Sequence, residues 1–238
     1  MSEVTHEGLE AGLAPLTNLC KDHAEPLAKR GVTQQKLDEY AAEGEALKVA
    51  RANHAAVESQ LKNIENMEDA DRTSLGETIN VFRTGVKEAF PEGSPVRKQF
   101  HVGDVWNNVS KIAIGFADDI EKAYPDYQDE LKAKGGILAE DLTTLIARRK
   151  KLEATSAEHV KIRTKNLKEA NADLHGAHNQ MKHTSDFIHA IVAIEFVHQP
   201  VILRQFEATR QLRHTTSHKH KPAPVNPKED PTKPPDAK

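Results

Sequence analysis

The sequence predicts an all-α fold: an elongated bundle of about six helices. They form two pseudo-symmetric three-helix repeats with coiled-coil-like packing, and a disordered C-terminal tail follows. Three observations predict it. Apolar residues recur at three- and four-residue spacing through most of the 238 residues, which is the period of one helix face. Aromatic residues are 5% of the chain and charged residues 29%, a balance that suits amphipathic helices and leaves little to build a sheet. The third observation is that the two halves repeat one succession of stripes, glycines and prolines.

The first stripe is Leu9, Leu13, Leu16, Cys20, Ala24 and Leu27. Gly31, after Lys29 and Arg30, is its expected stop, and Thr33 is the expected cap of a second helix. That helix carries Tyr40, Leu47, His54 and Leu61 in one heptad row and Ala50, Val57 and Ile64 in another, the pattern of a coiled-coil seam. The polar run Asp69–Thr73 is expected to be a turn. A third helix holds Leu75, Ile79, Phe82, Val86 and Phe90, and ends at the 91–95 loop, which contains Pro91, Gly93 and Pro95.

The second half follows the same plan. Trp106, Val109, Ala113, Phe116, Ile120, Ala123, Tyr127 and Leu131 form a stripe that ends at Gly135 and Gly136. A long helix is expected over 138–174, a break at Gly176, and a third helix from Met181 to Val197. The last is apolar on most sides, through Phe187, Ile188, Ile191, Val192, Ile194 and Phe196, so it is expected to be buried nearly all round. After Pro200 a short seventh helix is expected over 201–212.

A gapless shift of 105 residues sets Gly31 on Gly136, Leu47 on Leu152, His54 on His159, Val57 on Ile162, Phe82 on Phe187 and Pro95-Val96 on Pro200-Val201. A shift of 104 sets Leu16 on Ile120, Cys20 on Tyr124 and Leu27 on Leu131. The expected domains are therefore 1–103, the first three-helix repeat, and 104–213, a second repeat packed with it. The tail, 214–238, holds six prolines from Pro222 to Pro235 and, of large apolar residues, Val225 alone, too little apolar surface to offset the entropy of ordering.

Charge and cysteine usage narrow the function classes. The net charge is −3, which gives no general attraction to nucleic acid. It is unevenly placed: the stretch from Arg204 to the end carries eight Lys or Arg against four Asp or Glu, and so +4, which leaves −7 on the rest. Cys20 is the single cysteine, so no intrachain disulfide and no cysteine-built metal site can form. The first nineteen residues lack a basic segment followed by an apolar one, and no apolar run reaches the ~20 residues a bilayer requires. The expectation is a cytoplasmic protein without membrane insertion.

Chemistry-bearing motifs are scarce. The chain has no phosphate-binding glycine loop, no nucleophile elbow and no His-Glu-x-x-His. Cys20 lies on an apolar stripe and reads as a small buried hydrophobe. Glu3–His6 and Glu195–His198 have the Glu-x-x-His spacing of di-iron bundles, but the repeat does not carry the motif, as such sites require. His175, His178 and His183 cluster near Gly176, and His214, His218 and His220 lie in the tail. The run Arg148–Lys151 covers a whole helical turn and reads as a solvated face.

His54 and His159 are the candidate site. They are equivalent under the repeat and stand mid-way along their helices in otherwise apolar rows, so they are expected to face inward. There they would share a metal ion or form a contact sensitive to pH. The leading function is a non-enzymatic scaffold or protein-interaction protein, with self-association among its modes and no cofactor. The alternative is a metal- or ligand-binding bundle that uses these core histidines.

Overall fold

The computed structural model describes residues 4–105 and 109–214, and all its regular elements there are helical. In chain order they are α1 (His6–Asp22), α2 (Ala24–Ala28), α3 (Gln34–Ala89), α4 (Pro95–Gln99), α5 (Ser110–Gly135), α6 (Ala139–Lys161), a π turn (Ile162–Asn166), α7 (Leu167–Glu195) and α8 (Pro200–Leu212). Trp106 and the tail from residue 215 lie outside the described residues. Among the described residues no helix is long and apolar enough to cross a membrane.

Local chemistry accounts for the helix ends. Thr5 caps α1, its Oγ1 accepting from Gly8 N at 3.0 Å, and Thr33 Oγ1 accepts from Lys36 N at 3.3 Å as expected of a cap. Gly31 and Gly136 have φ of 92° and 68°, the left-handed conformation that glycine adopts without steric cost. At both turns the following residue donates back to the preceding helix: Val32 N to Leu27 O and Ile137 N to Leu131 O, each at 3.1 Å. Arg97 closes the end of α3, donating to the carbonyls of Phe90 at 3.0 Å and Lys87 at 2.8 Å.

Three expectations fail. Asp69–Thr73 is no turn, because α3 runs through it for 56 residues. Its polar groups are satisfied within the helical geometry: Thr73 Oγ1 donates to Asp69 O at 2.9 Å, and the buried Asp71 carboxylate accepts from Thr155 Oγ1 at 2.7 Å. Gly176 does not break the second long stretch either, since it lies inside α7. Flanking packing outweighs the ~1 kcal/mol that a helical glycine costs. Phe187 was expected to be buried like Phe82, yet Phe82 is 0% exposed and Phe187 37%. Met181–Val197 is thus not enclosed all round.

The described residues divide into two compact units, 4–47 with 178–214, and 48–105 with 109–177. In the first, α1 packs on α8 and buries Leu9, Leu16 and Cys20. Gly44 leaves room for Leu13 and Met181. Phe196 and Phe206 stack with centroids 6.1 Å apart, and His23 lies against both. In the second unit, α5 packs on α6. The core there joins Leu75, Ile79, Phe82 and Val86 of α3 to Ile120, Tyr124 and Leu131 of α5 and Leu145 and Leu152 of α6. Phe82 meets Tyr124 edge-on at 5.9 Å. A smaller cluster joins Val57, Ile162 and Ala170.

Candidate functional site

His54 and His159 both belong to the second unit, His54 within α3 and His159 in the last turn of α6, and each is partly buried. They bond to different partners and not to each other. His54 Nε2 donates to Asn171 Oδ1 at 2.8 Å, and its Nδ1 stands 3.7 Å from Glu58. His159 Nδ1 meets Glu68 Oε2 at 2.5 Å, while its buried Nε2 lacks a hydrogen bond and stands 3.6 Å from Glu65 Oε1.

Glu68 is the centre of this arrangement. The other carboxylate oxygen accepts from Ser110 Oγ at 2.6 Å, so one side chain links α3, α5 and α6. Burial pushes the Glu68 carboxyl up, but bonds from Ser110, His159 and Ser156 outweigh it and hold the group below the usual carboxylate value. One turn on, buried Asp71 holds Thr155 Oγ1 at 2.7 Å and Lys151 Nζ at 2.7 Å. Glu65, Glu68 and Asp71 thus form an i, i+3, i+6 acidic row aimed at α6. Sequence reasoning missed this row because it read Asp69–Thr73, which includes Asp71, as a turn; the three-residue spacing of the acids was the available signal.

Arg148–Lys151 is more than a solvated face. Arg148 donates to Ser74 O and Thr78 Oγ1, both at 2.7 Å, and Arg149 pairs with Glu121 and Glu153, both at 2.8 Å. Arg148 and Lys151 thus reach α3, and Arg149 reaches α5, while Lys150 is exposed.

His101 was not singled out from the sequence. It is the one described non-glycine residue with positive φ, at 56°. Its ring stacks on Phe116 at 3.9 Å, with Nδ1 2.9 Å from Asp104 and Nε2 3.0 Å from Asp119. An open groove of about 350 Å³ runs beside it, lined by Lys98, Gln99, Asp119, Lys122 and Asp126. Its charges alternate in sign along the lining.

The first unit holds a second polar cluster. Arg213, 3% exposed, donates to Ser185 Oγ at 3.2 Å and Asp186 Oδ1 at 2.5 Å. Thr184 Oγ1 donates to Glu43 Oε1 at 2.9 Å. Burial, then the charges of Arg213 and Arg210, push the His189 imidazole down to about 4. Burial pushes the Cys20 thiol up to about 12, which removes it as a thiolate nucleophile.

No family model matches the chain, and neither a curated protein nor a solved structure matches it. The geometry must therefore carry the functional reading. Among the described residues no group of three or more His, Cys, Asp or Glu side chains is arranged to hold a metal ion. His178 meets His6 at 2.9 Å, Nδ1 to Nδ1. Glu195 pairs with Arg30 rather than with His198. Glu3, His218 and His220 lie outside the described residues.

Proposed function

We propose that this chain is a non-enzymatic helical scaffold that acts through protein contact, with self-association through the first unit as its principal mode. One observation carries the reading. Phe187 and Ile194 of α7, Val197 of the turn that follows and Val201 of α8 succeed one another in the chain, and they are 37%, 55%, 58% and 70% exposed. Single exposed apolar residues are ordinary, but grouped ones mark interaction surfaces. A second copy presenting the same strip would cover it isologously, the commonest arrangement in homodimers.

The expected repeat, residues 1–103 and 104–213, is part of this proposal. Its support is reciprocity of contacts: Glu43 bonds Thr184 as Arg148 bonds Thr78, and His54 meets Asn171 as His159 meets Glu65. In each case one partner comes from α3 and the other from the second long stretch. A cytoplasmic location fits a chain whose single cysteine is buried. The metal reading has no comparable support, since Asn171 and Glu68 already engage the two histidines.

Sedimentation velocity over a concentration series tests the reading. The wild type should associate as concentration rises, and the pair Ile194→Lys and Val197→Glu should remain monomeric with unchanged helical circular dichroism. A wild type that stays monomeric throughout overturns it.

A further inference from the structure

The π turn Ile162–Asn166 interrupts an otherwise regular stretch, closing with a bond from Leu167 N to Ile162 O. Such turns arise when one extra residue is accommodated inside an α-helix. We propose that this turn is a single-residue insertion into the second copy of the long helix, and that it keeps two buried faces in register. The inference rests on the repeat reading above.

Burial supplies the evidence. Ahead of the turn, buried residues of α3 find buried partners 105 positions on: Tyr40 and Leu145, Leu47 and Leu152, Val57 and Ile162. Beyond it the offset is 106: Leu75 and Met181, Phe82 and Ile188, Val86 and Val192. The later aromatic pair, Phe100 and Phe206, keeps 106. The change is visible in the residues themselves. Val57 and Leu61 are separated by Glu-Ser-Gln, whereas Ile162 and Leu167 are separated by Arg-Thr-Lys-Asn.

The reciprocal contacts obey the same rule. Arg148 is 105 positions beyond Glu43, and Thr184 is 106 beyond Thr78. His159 is 105 beyond His54, and Asn171 is 106 beyond Glu65. No single offset satisfies both members of either pair. An uninterrupted α-helix would turn everything beyond residue 166 by about 100° relative to the face before it. Met181 and Ile188 would then leave the core, and Phe187 would enter it. The wider turn absorbs that rotation, and so Phe187 remains at the surface strip.

Deleting one residue from the turn should therefore convert it to plain α-helix and leave both faces where they are. Lys165 is exposed and is the residue to remove. The control is deletion of Lys62, also exposed and in regular α3. The intact chain lacking Lys165 should melt cooperatively within a few degrees of wild type, with unchanged amide exchange over 170–195. The chain lacking Lys62 should lose its cooperative transition or melt at least ~10 °C lower, because a rotated core face sacrifices several kcal/mol. If loss of Lys165 is as damaging as loss of Lys62, the turn is not an insertion. A crystal structure of the intact wild type separates this from the repeat itself. Halves that fail to superpose overturn the repeat. Halves that superpose while the Lys165 deletion unfolds overturn the insertion alone.

Discussion

Glu68 Oε2 lies 2.5 Å from Nδ1 of His159. Its other oxygen is taken by Ser110. The carboxyl is held below its usual value, so its contribution to stability is complete above the unfolded value of about 4.3 and is lost as pH falls through the lower folded value. Glu68→Gln should cost about 1–3 kcal/mol at pH 7. In urea unfolding, the gap between wild type and variant should close below pH 4. A gap of equal size at pH 7 and pH 3 would mean that the charge contributes nothing.

The two phenylalanines paired by a uniform offset should behave differently. Phe82→Ala should cost about 3–5 kcal/mol, because the ring is wholly enclosed and the cavity cannot collapse. Phe187→Ala should cost about 1 kcal/mol, since its ring already meets water. Chemical denaturation measures both; equal costs would restore the enclosed helix that the sequence predicts.

His189 sets an acid limit on the first unit. Its folded value of about 4 lies below the ordinary histidine value of 6.5. The unfolded chain therefore takes up the proton first, and stability falls as pH drops from 6.5 to 4. His189→Gln should flatten that part of the curve. Unfolding profiles of both proteins across this window decide the matter, and parallel slopes would rule His189 out as their source.

Two glycine substitutions have opposite expected signs. A Cβ at Gly8 would collide with the carbonyl of Arg213, which also accepts from Thr5 N at 3.1 Å. Gly8→Ala should destabilise by about 1–3 kcal/mol. Nothing lies within 4 Å of a Cβ at Gly176, and the residue is exposed inside α7. Gly176→Ala should stabilise by roughly 0.5–1 kcal/mol. A lower melting temperature for the second variant would show that a break is needed there.

Much of the helical plan was legible in the residues, because amphipathic periodicity and end signals are local. The stripe Leu9–Leu16–Cys20, the Thr33 cap, the left-handed Gly31 and Gly136, and the buried Leu47 and Leu152 all follow from spacing and steric preference. Helix continuity was not legible. Asp69–Thr73 and Gly176 carry turn-like composition, and only partners distant in the chain, such as Thr155 for Asp71, make a helix the better state. The inward direction of Glu65, Glu68 and Asp71 was hidden for the same reason, as was the clasp on His101. Phe187 illustrates the division most clearly. Periodicity can say that a helix has an apolar face, but which residues occupy it beyond residue 166 depends on whether the helix widens into the π turn Ile162–Asn166. Packing on either side of the turn favours that widening, and no local preference does.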